Sequence, residues 1–145
     1  MRDRVAPSRA FWDASNATAL TGPGPLWVAL GDSTAQGIGA TSPDEGYVGQ
    51  LRRRLEAHDR RPWRVLNLSR SGARIRELLT DRLARLAARS ETPGLVTCAA
   101  GANDLAWRPG VRRVLGDAER LLRELPAGTV VATLPAACTR RAPRR

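Results

Sequence analysis

Lysine is missing from this chain: all 24 basic residues are arginine, and against 14 acidic residues they leave a net charge of +10. We read this arginine-only usage as a mark of GC-rich coding rather than of selection for an anionic partner. The arginines fall in separate groups, Arg52-Arg53-Arg54, Arg60-Arg61, Arg112-Arg113, Arg140-Arg141 and Arg144-Arg145, as solvated faces of several elements do. Aromatic residues make up only 4% of the chain and do not interleave with the basic groups, so the stacking platform of a single-strand binder is lacking. A nucleic-acid partner is therefore not expected. Histidine occurs once, as His58, and cysteine twice, which leaves no zinc-ligand spacing; no metal and no other cofactor is expected. Cys98 lies in an apolar run and reads as a buried small hydrophobe, Cys138 lies in a polar tail, and a disulfide between them is not expected. No run approaches the roughly 18 apolar residues of a membrane span. The first residues, MRDRVAPSRAFWDASN, hold no apolar stretch before a small-residue cleavage site, so we expect no secretory leader and a cytoplasmic protein.

What is present suits one folded domain. The chain has 145 residues, 42% of them apolar and 26% charged, enough for a single core. Residues 1–25 read as an N-terminal arm, closed by Thr21-Gly22-Pro23-Gly24-Pro25, a strong stop for regular structure. Leu26 to Leu30 is a short apolar run ending at Gly31, as in a buried parallel strand. Ser42-Pro43-Asp44-Glu45 predicts a helix start with a serine cap and a capping box, after which Tyr47, Leu51 and Leu55 recur at helical spacing. Arg64 to Leu68 reads as a second strand, and Ile75, Leu78, Leu79, Leu83 and Leu86 mark a second amphipathic helix. Leu95 to Ala99 is a third strand. Val111, Val114, Leu115, Ala118, Leu121, Leu122 and Leu125 form the clearest helical stripe, and Thr129 to Leu134 is a fourth strand. The order β-α-β-α-β-α-β calls for an α/β fold, a doubly wound parallel sheet of about four strands with flanking helices.

Ligands gather beyond the carboxyl ends of such strands. There the chain places Gly31-Asp32-Ser33 after the first strand, Ser69-Arg70-Ser71-Gly72 after the second, and Gly101-Ala102-Asn103-Asp104 after the third. Taken singly, each is more often a turn or a helix cap. Together they bring a hydroxyl, a glycine amide and a carboxamide to one sheet edge, the parts needed to attack a carbonyl and hold the resulting oxyanion.

These three blocks, over residues 26–134, resemble the SGNH (GDSL-type) hydrolases: Gly31-Asp32-Ser33 is similar to that family's first block, Asn67 to Ala73 to its second, and Gly101-Ala102-Asn103-Asp104 to its third. The resemblance implies a flavodoxin-like fold and a serine esterase acting on a small acyl ester. It implies Ser33 as nucleophile, the Ser33 and Gly72 N–H groups with the Asn103 side chain as oxyanion donors, and Asp32 and Asp104 in support. Glycine at position 72 would keep a side chain away from the approaching acyl group. Trp107 and Arg108, just after the third block, are candidates for the acyl pocket.

The family's last block, Asp-x-x-His, supplies the general base, and no such block occurs here; Leu55 stands three residues before His58. His58 is rejected as a substitute. Its helix runs away from the serine edge over about 15 residues, roughly 22 Å at ~1.5 Å per residue, whereas a base must lie within about 3 Å of its proton or act through one water. No general base is identified, and the chain by itself is expected to be nearly inactive. Beyond Leu134 residues 135–145 read as an irregular, arginine-rich tail, and we expect a C-terminal truncation, one strand and one helix short of the family's domain, from an early end to a longer reading frame. An unpaired fourth strand, with Val130-Val131-Ala132, then predicts self-association. The alternative functions are a non-catalytic relic that binds a small carbonyl compound and, less favoured, an arginine-rich nucleic-acid binder.

Overall fold

The computed structural model describes residues 5–106 and 110–132. Four strands, β1 (Leu26–Gly31), β2 (Arg64–Asn67), β3 (Leu95–Ala99) and β4 (Val130–Val131), form a parallel sheet in the order β2-β1-β3-β4. The α/β doubly wound arrangement read from the sequence is the one observed. β1 is central and buried at all six positions, which is why its sequence is an uninterrupted apolar run. Its register sets Gly31 opposite Ala99, so the ends of β1 and β3 are level where the candidate site begins. A Cβ on Gly31 would stand 2.5 Å from the Ala99 carbonyl oxygen, and only glycine allows that approach.

One face of the sheet is covered by α3 (Ile75–Glu77), a π turn (Leu78–Arg82) and α4 (Leu83–Ala87), joined by α6 (Val111–Glu124) after the short α5 (Ala102–Ala106). Ile75, Leu78, Leu79, Leu83 and Leu86 are all buried there, as their spacing predicts. The other face carries α2 (Tyr47–Asp59) and α1 (Val5–Ala19), packed over Trp27, Ala29 and Val65. No helix among the described residues is long and apolar enough to cross a membrane.

Three features differ from the sequence reading. Most of the segment read as an arm is a 15-residue helix, α1, which buries Ser8, Trp12 and Ala19. With one large apolar residue on that face, its helical period is faint in the sequence. α1 closes the edge of the sheet: Asn16 Nδ2 donates to Asn67 O (2.9 Å) and Asn16 Oδ1 accepts from Asn67 N–H (2.7 Å), so one carboxamide imitates a neighbouring strand. Arg64 Nη1 in turn donates to Ala19 O at the end of α1 (3.1 Å).

Second, the predicted capping box does not form. Pro43–Glu45 is a 3₁₀ turn, Ser42 makes no side-chain cap, and α2 starts after Gly46. The acidic residues are drawn instead to the first turns of α2, where Asp44 pairs with Arg52 (3.0 Å) and Arg53 (2.9 Å), and Glu45 with Arg53 (3.1 Å).

Third, the clearest apolar stripe is only half covered. Leu121 and Leu125 are buried, but Val111, Leu115 and Leu122 on α6 are 74%, 57% and 58% exposed. The expected fourth strand is described only at Val130–Val131; Thr133 and Leu134, the tail 135–145 and Cys138 lie outside the described residues.

Asn16→Ala removes both partners of the Asn67 backbone at the sheet edge. It should lower unfolding stability by about 1–3 kcal/mol, the usual cost of stranding partly buried polar groups. Urea unfolding followed by circular dichroism measures this, and an unchanged midpoint would mean that α1 is not part of the cooperative unit.

Candidate active site

The loops after β1, β2 and β3 are tied to one another by side chains from within them. Asp32, 2% exposed, anchors the first. Its N–H donates to Ala99 O at the end of β3 (3.2 Å), and its Oδ1 accepts from Thr34 N–H (2.9 Å), closing a tight turn around Ser33. Asn103, on α5, joins all three loops: its Nδ2 donates to Ala73 O (3.0 Å) and, at longer range, to Asp32 Oδ2 (3.4 Å). Ser33 and Gly72 are thus each the chain neighbour of a residue bound to the Asn103 amide. Asp104 is buried and faces elsewhere; its Oδ2 accepts from Ile75 N–H (3.0 Å), capping α3 from a different element.

The second loop is shaped by a reverse turn in which Ala73 N–H donates to Arg70 O (3.0 Å) and Gly72 adopts φ +79°. That conformation costs an ordinary residue roughly 1–2 kcal/mol. A Cβ at this position would meet no atom within 4 Å, so it is the backbone that asks for glycine here. Two buried side chains hold this loop in place: Gln36, which the sequence reading passed over, and Asn67, the first residue of the second block. Gln36 Oε1 accepts from Ser71 N–H (2.9 Å) and its Nε2 donates to Ser69 O (3.3 Å). Asn67 Nδ2 donates to Ala35 O (2.8 Å), and Asn67 Oδ1 accepts from the Ser69 N–H (3.0 Å) and hydroxyl. The partners of Gln36 are more than 30 residues away in sequence, and no local pattern announces them.

With Thr34, Ser71 and Ala73 N–H all engaged within the loops, the two amides between them stand out. Among the described residues, neither Ser33 N–H nor Gly72 N–H donates a hydrogen bond. His58 lies exposed in the last turn of α2, far along a helix whose start is packed against Gly37 of the serine loop. Trp107 and Arg108 lie outside the described residues.

The model of the GDSL-like lipase/acylhydrolase family matches residues 29–145. The chain belongs to that family. Among solved structures it is similar to AlinE4, an SGNH-hydrolase family esterase (23% identity, TM-score 0.64, covering 77% of this chain and 59% of that one). It is also similar to the psychrotrophic esterase EstA from Pseudoalteromonas sp. (23%, TM-score 0.58, 74% and 58%) and to TesA (27%, TM-score 0.59, 79% and 64%). The family chain described here thus spans between 58% and 64% of the length of these three structures. No curated protein sequence matches it.

Two buried acids flank the site without entering it. Burial pushes the Cys98 thiol from 9.0 to about 11, with Asp32 adding to the rise. Burial likewise pushes the Tyr47 phenol from 10.0 to about 12; the Thr97 hydroxyl opposes this, while Cys98 and Asp32 add to it. Both values are raised on folding, so the protonated forms favour the folded state fully below about pH 9. That contribution fades as pH climbs through 11 to 12. The urea midpoint should therefore fall between pH 9 and 11, and the fall should be smaller in Cys98→Ala. Parallel pH curves for the two proteins would remove Cys98 from the explanation.

Proposed function

We propose that this chain carries the nucleophile and oxyanion half of an SGNH-type serine esterase, hydrolysing carboxylic or acetyl esters through Ser33. The observation that carries the reading is the pair of unengaged amides, Ser33 N–H and Gly72 N–H, flanking a carboxamide, Asn103, that is already fixed by two acceptors. In this reading Ser33 Oγ bonds to the ester carbonyl carbon and gives up its proton to a base. The carbonyl electron pair moves onto oxygen and is met by the two amides. Asn103 adds a third donor through the hydrogen that now makes only a 3.4 Å contact with Asp32. The alcohol then leaves with a proton, and water repeats the sequence to release the acid. Asp32 and Asp104 act as positioning residues, one on the serine turn and Asn103, the other on α3.

The base is the part this chain does not bring to Ser33. Its one histidine, His58, is the twelfth residue of α2, roughly 17 Å along a helix axis that begins beside the serine loop. Loss of the histidine from a serine triad costs on the order of 10⁶ in turnover, with residual catalysis from oxyanion stabilisation. We expect a p-nitrophenyl acetate rate reduced to that extent, dependent on Ser33, and raised by added imidazole in the wild type but not in Ser33→Ala. Asn103→Ala should lower the imidazole-supported rate by a further 10²–10³. Equal rates in wild type and Ser33→Ala would overturn the assignment. Saturable ester binding without any Ser33-dependent turnover would favour the non-catalytic relic.

The same half-open fold supports self-association of this chain. Val131 on β4, and Val111, Leu115 and Leu122 on α6, border an apolar hollow of about 540 Å³ that Ile75 also lines, and Val130 beside it is exposed. A second copy of the chain pairing along β4 would cover these side chains. Light scattering should show concentration-dependent oligomers that Leu122→Glu with Val131→Lys reduces to monomer. A wild-type protein that stays monomeric at high concentration would contradict this.

A further inference from the structure

Four arginines converge on a polar pocket at the β2 edge, whose lining does not include Ser33. The pocket, about 390 Å³, lies between α1 and the π turn, with Arg9 on α1, Arg70 on the loop after β2, and Arg82 and Arg85 on the helix that follows. Asn16, Gln36, Asn67 and Ser69 contribute neutral polar groups to its wall. Asp13 is the one acidic side chain in the lining, and it pairs with Arg9 at 3.6 Å. Arg82 pairs with its neighbour Asp81 (3.2 Å), but Arg70 and Arg85 face no carboxyl among the described residues. Several other arginines of this fold meet acids, Arg52 and Arg53 at Asp44, Arg64 at Glu91, Arg120 at Glu124. Here four guanidinium groups meet only two carboxylates, those of Asp13 and Asp81, and a net positive charge is left.

Arg82 is the informative member. The π turn ends on it, and its side chain is only 15% exposed, so a guanidinium is held near three others with little water around it. Burial lowers its pKa; Asp81 opposes this, and Arg85, Arg70 and Arg9 add to the lowering. A cluster of this kind is costly when empty and relieved by a multiply charged anion, which guanidinium groups bind through paired, charge-assisted hydrogen bonds. A single carboxylate presents too few oxygens to engage four such groups, whereas a phosphoryl group or a diphosphate presents enough.

We propose that this pocket is a binding site for a small phosphoryl-bearing anion, with Arg70, Arg82 and Arg85 as its principal ligands. The inference is independent of the ester chemistry at Ser33. It differs from a general attraction between a cationic protein and polyanions in requiring this one pocket.

Titration calorimetry with pyrophosphate, at ionic strength held constant with sodium chloride, tests it. We expect one saturable site per chain, weakened roughly tenfold or more in Arg82→Gln, and acetate at least tenfold weaker than pyrophosphate. Should Arg82→Gln not fold, Arg70→Gln with Arg85→Gln replaces it, since both side chains are exposed. The control is Arg112→Gln with Arg113→Gln on α6, which removes the same two charges outside the pocket and should leave the affinity unchanged. Three results would overturn the proposal: no pyrophosphate binding to the wild type, equal weakening by the α6 pair, or binding seen only with duplex DNA.

Discussion

The carboxamide of Asn103 sets the geometry on which the rest of the site depends. Three loops leave the carboxyl ends of three strands, and nothing in a parallel sheet obliges them to meet at hydrogen-bonding precision. A neutral amide with two hydrogens can reach two loops at once, taking Ala73 O from one and Asp32 from another. An aspartate there would offer no donor to either acceptor and would set two carboxyl groups side by side. The bridge works because β1 and β3 are level at Gly31 and Ala99, and that register is secured by the full burial of β1. A change deep in the sheet would therefore reach the site through the spacing of these loops.

Much of this arrangement is legible in the residues, and the reasons are physical. The strand β1 is buried throughout and β3 at its three central positions, so β1 is a continuous apolar run and β3 is broken only by the buried Thr97. The three polar blocks follow β1, β2 and β3, so the sheet rule alone brings them to one edge. What escaped the sequence reading depends on partners distant in the chain. Gln36 looks like any polar loop residue, yet it is buried and fastens Ser69 and Ser71. Asn16 and Trp12 lie on a helix whose inward face is otherwise small and polar, so its amphipathic signal is weak. The capping box failed for the opposite reason: the motif is local, but Asp44 and Glu45 have stronger cationic partners a turn or two further on.

The two margins of the sheet are treated differently. At the β2 margin, α1 lays Asn16 along the strand and Arg64 reaches back to the end of α1, so backbone and side chains are both occupied. At the β4 margin, the described residues leave Val130 and Val131 exposed beside the uncovered half of α6. An amphipathic helix gains its stability chiefly by burying its apolar face, so α6 is the element least well supported by what is described around it. Leu121 and Leu125 attach it to the core, with Val114 and Ala118 packed partly buried beside them.

This asymmetry bears on the proposed reading, in which the donor half of a catalytic site is ordered without its base. Every hydrogen bond that shapes the serine turn, the Gly72 turn and the Asn103 bridge is made by residues between Gly31 and Asp104, and none passes through an imidazole. Oxyanion donors act by being fixed in advance, at no reorganisation cost when charge develops. A general base contributes separately, by taking a proton during the step itself. On that reading the two contributions can be parted: the donor array would be organised by the better-covered side of the sheet, whichever group takes the proton. Ester binding and oxyanion stabilisation would follow the integrity of β1, β2 and β3, while proton transfer would follow whatever base is supplied to Ser33.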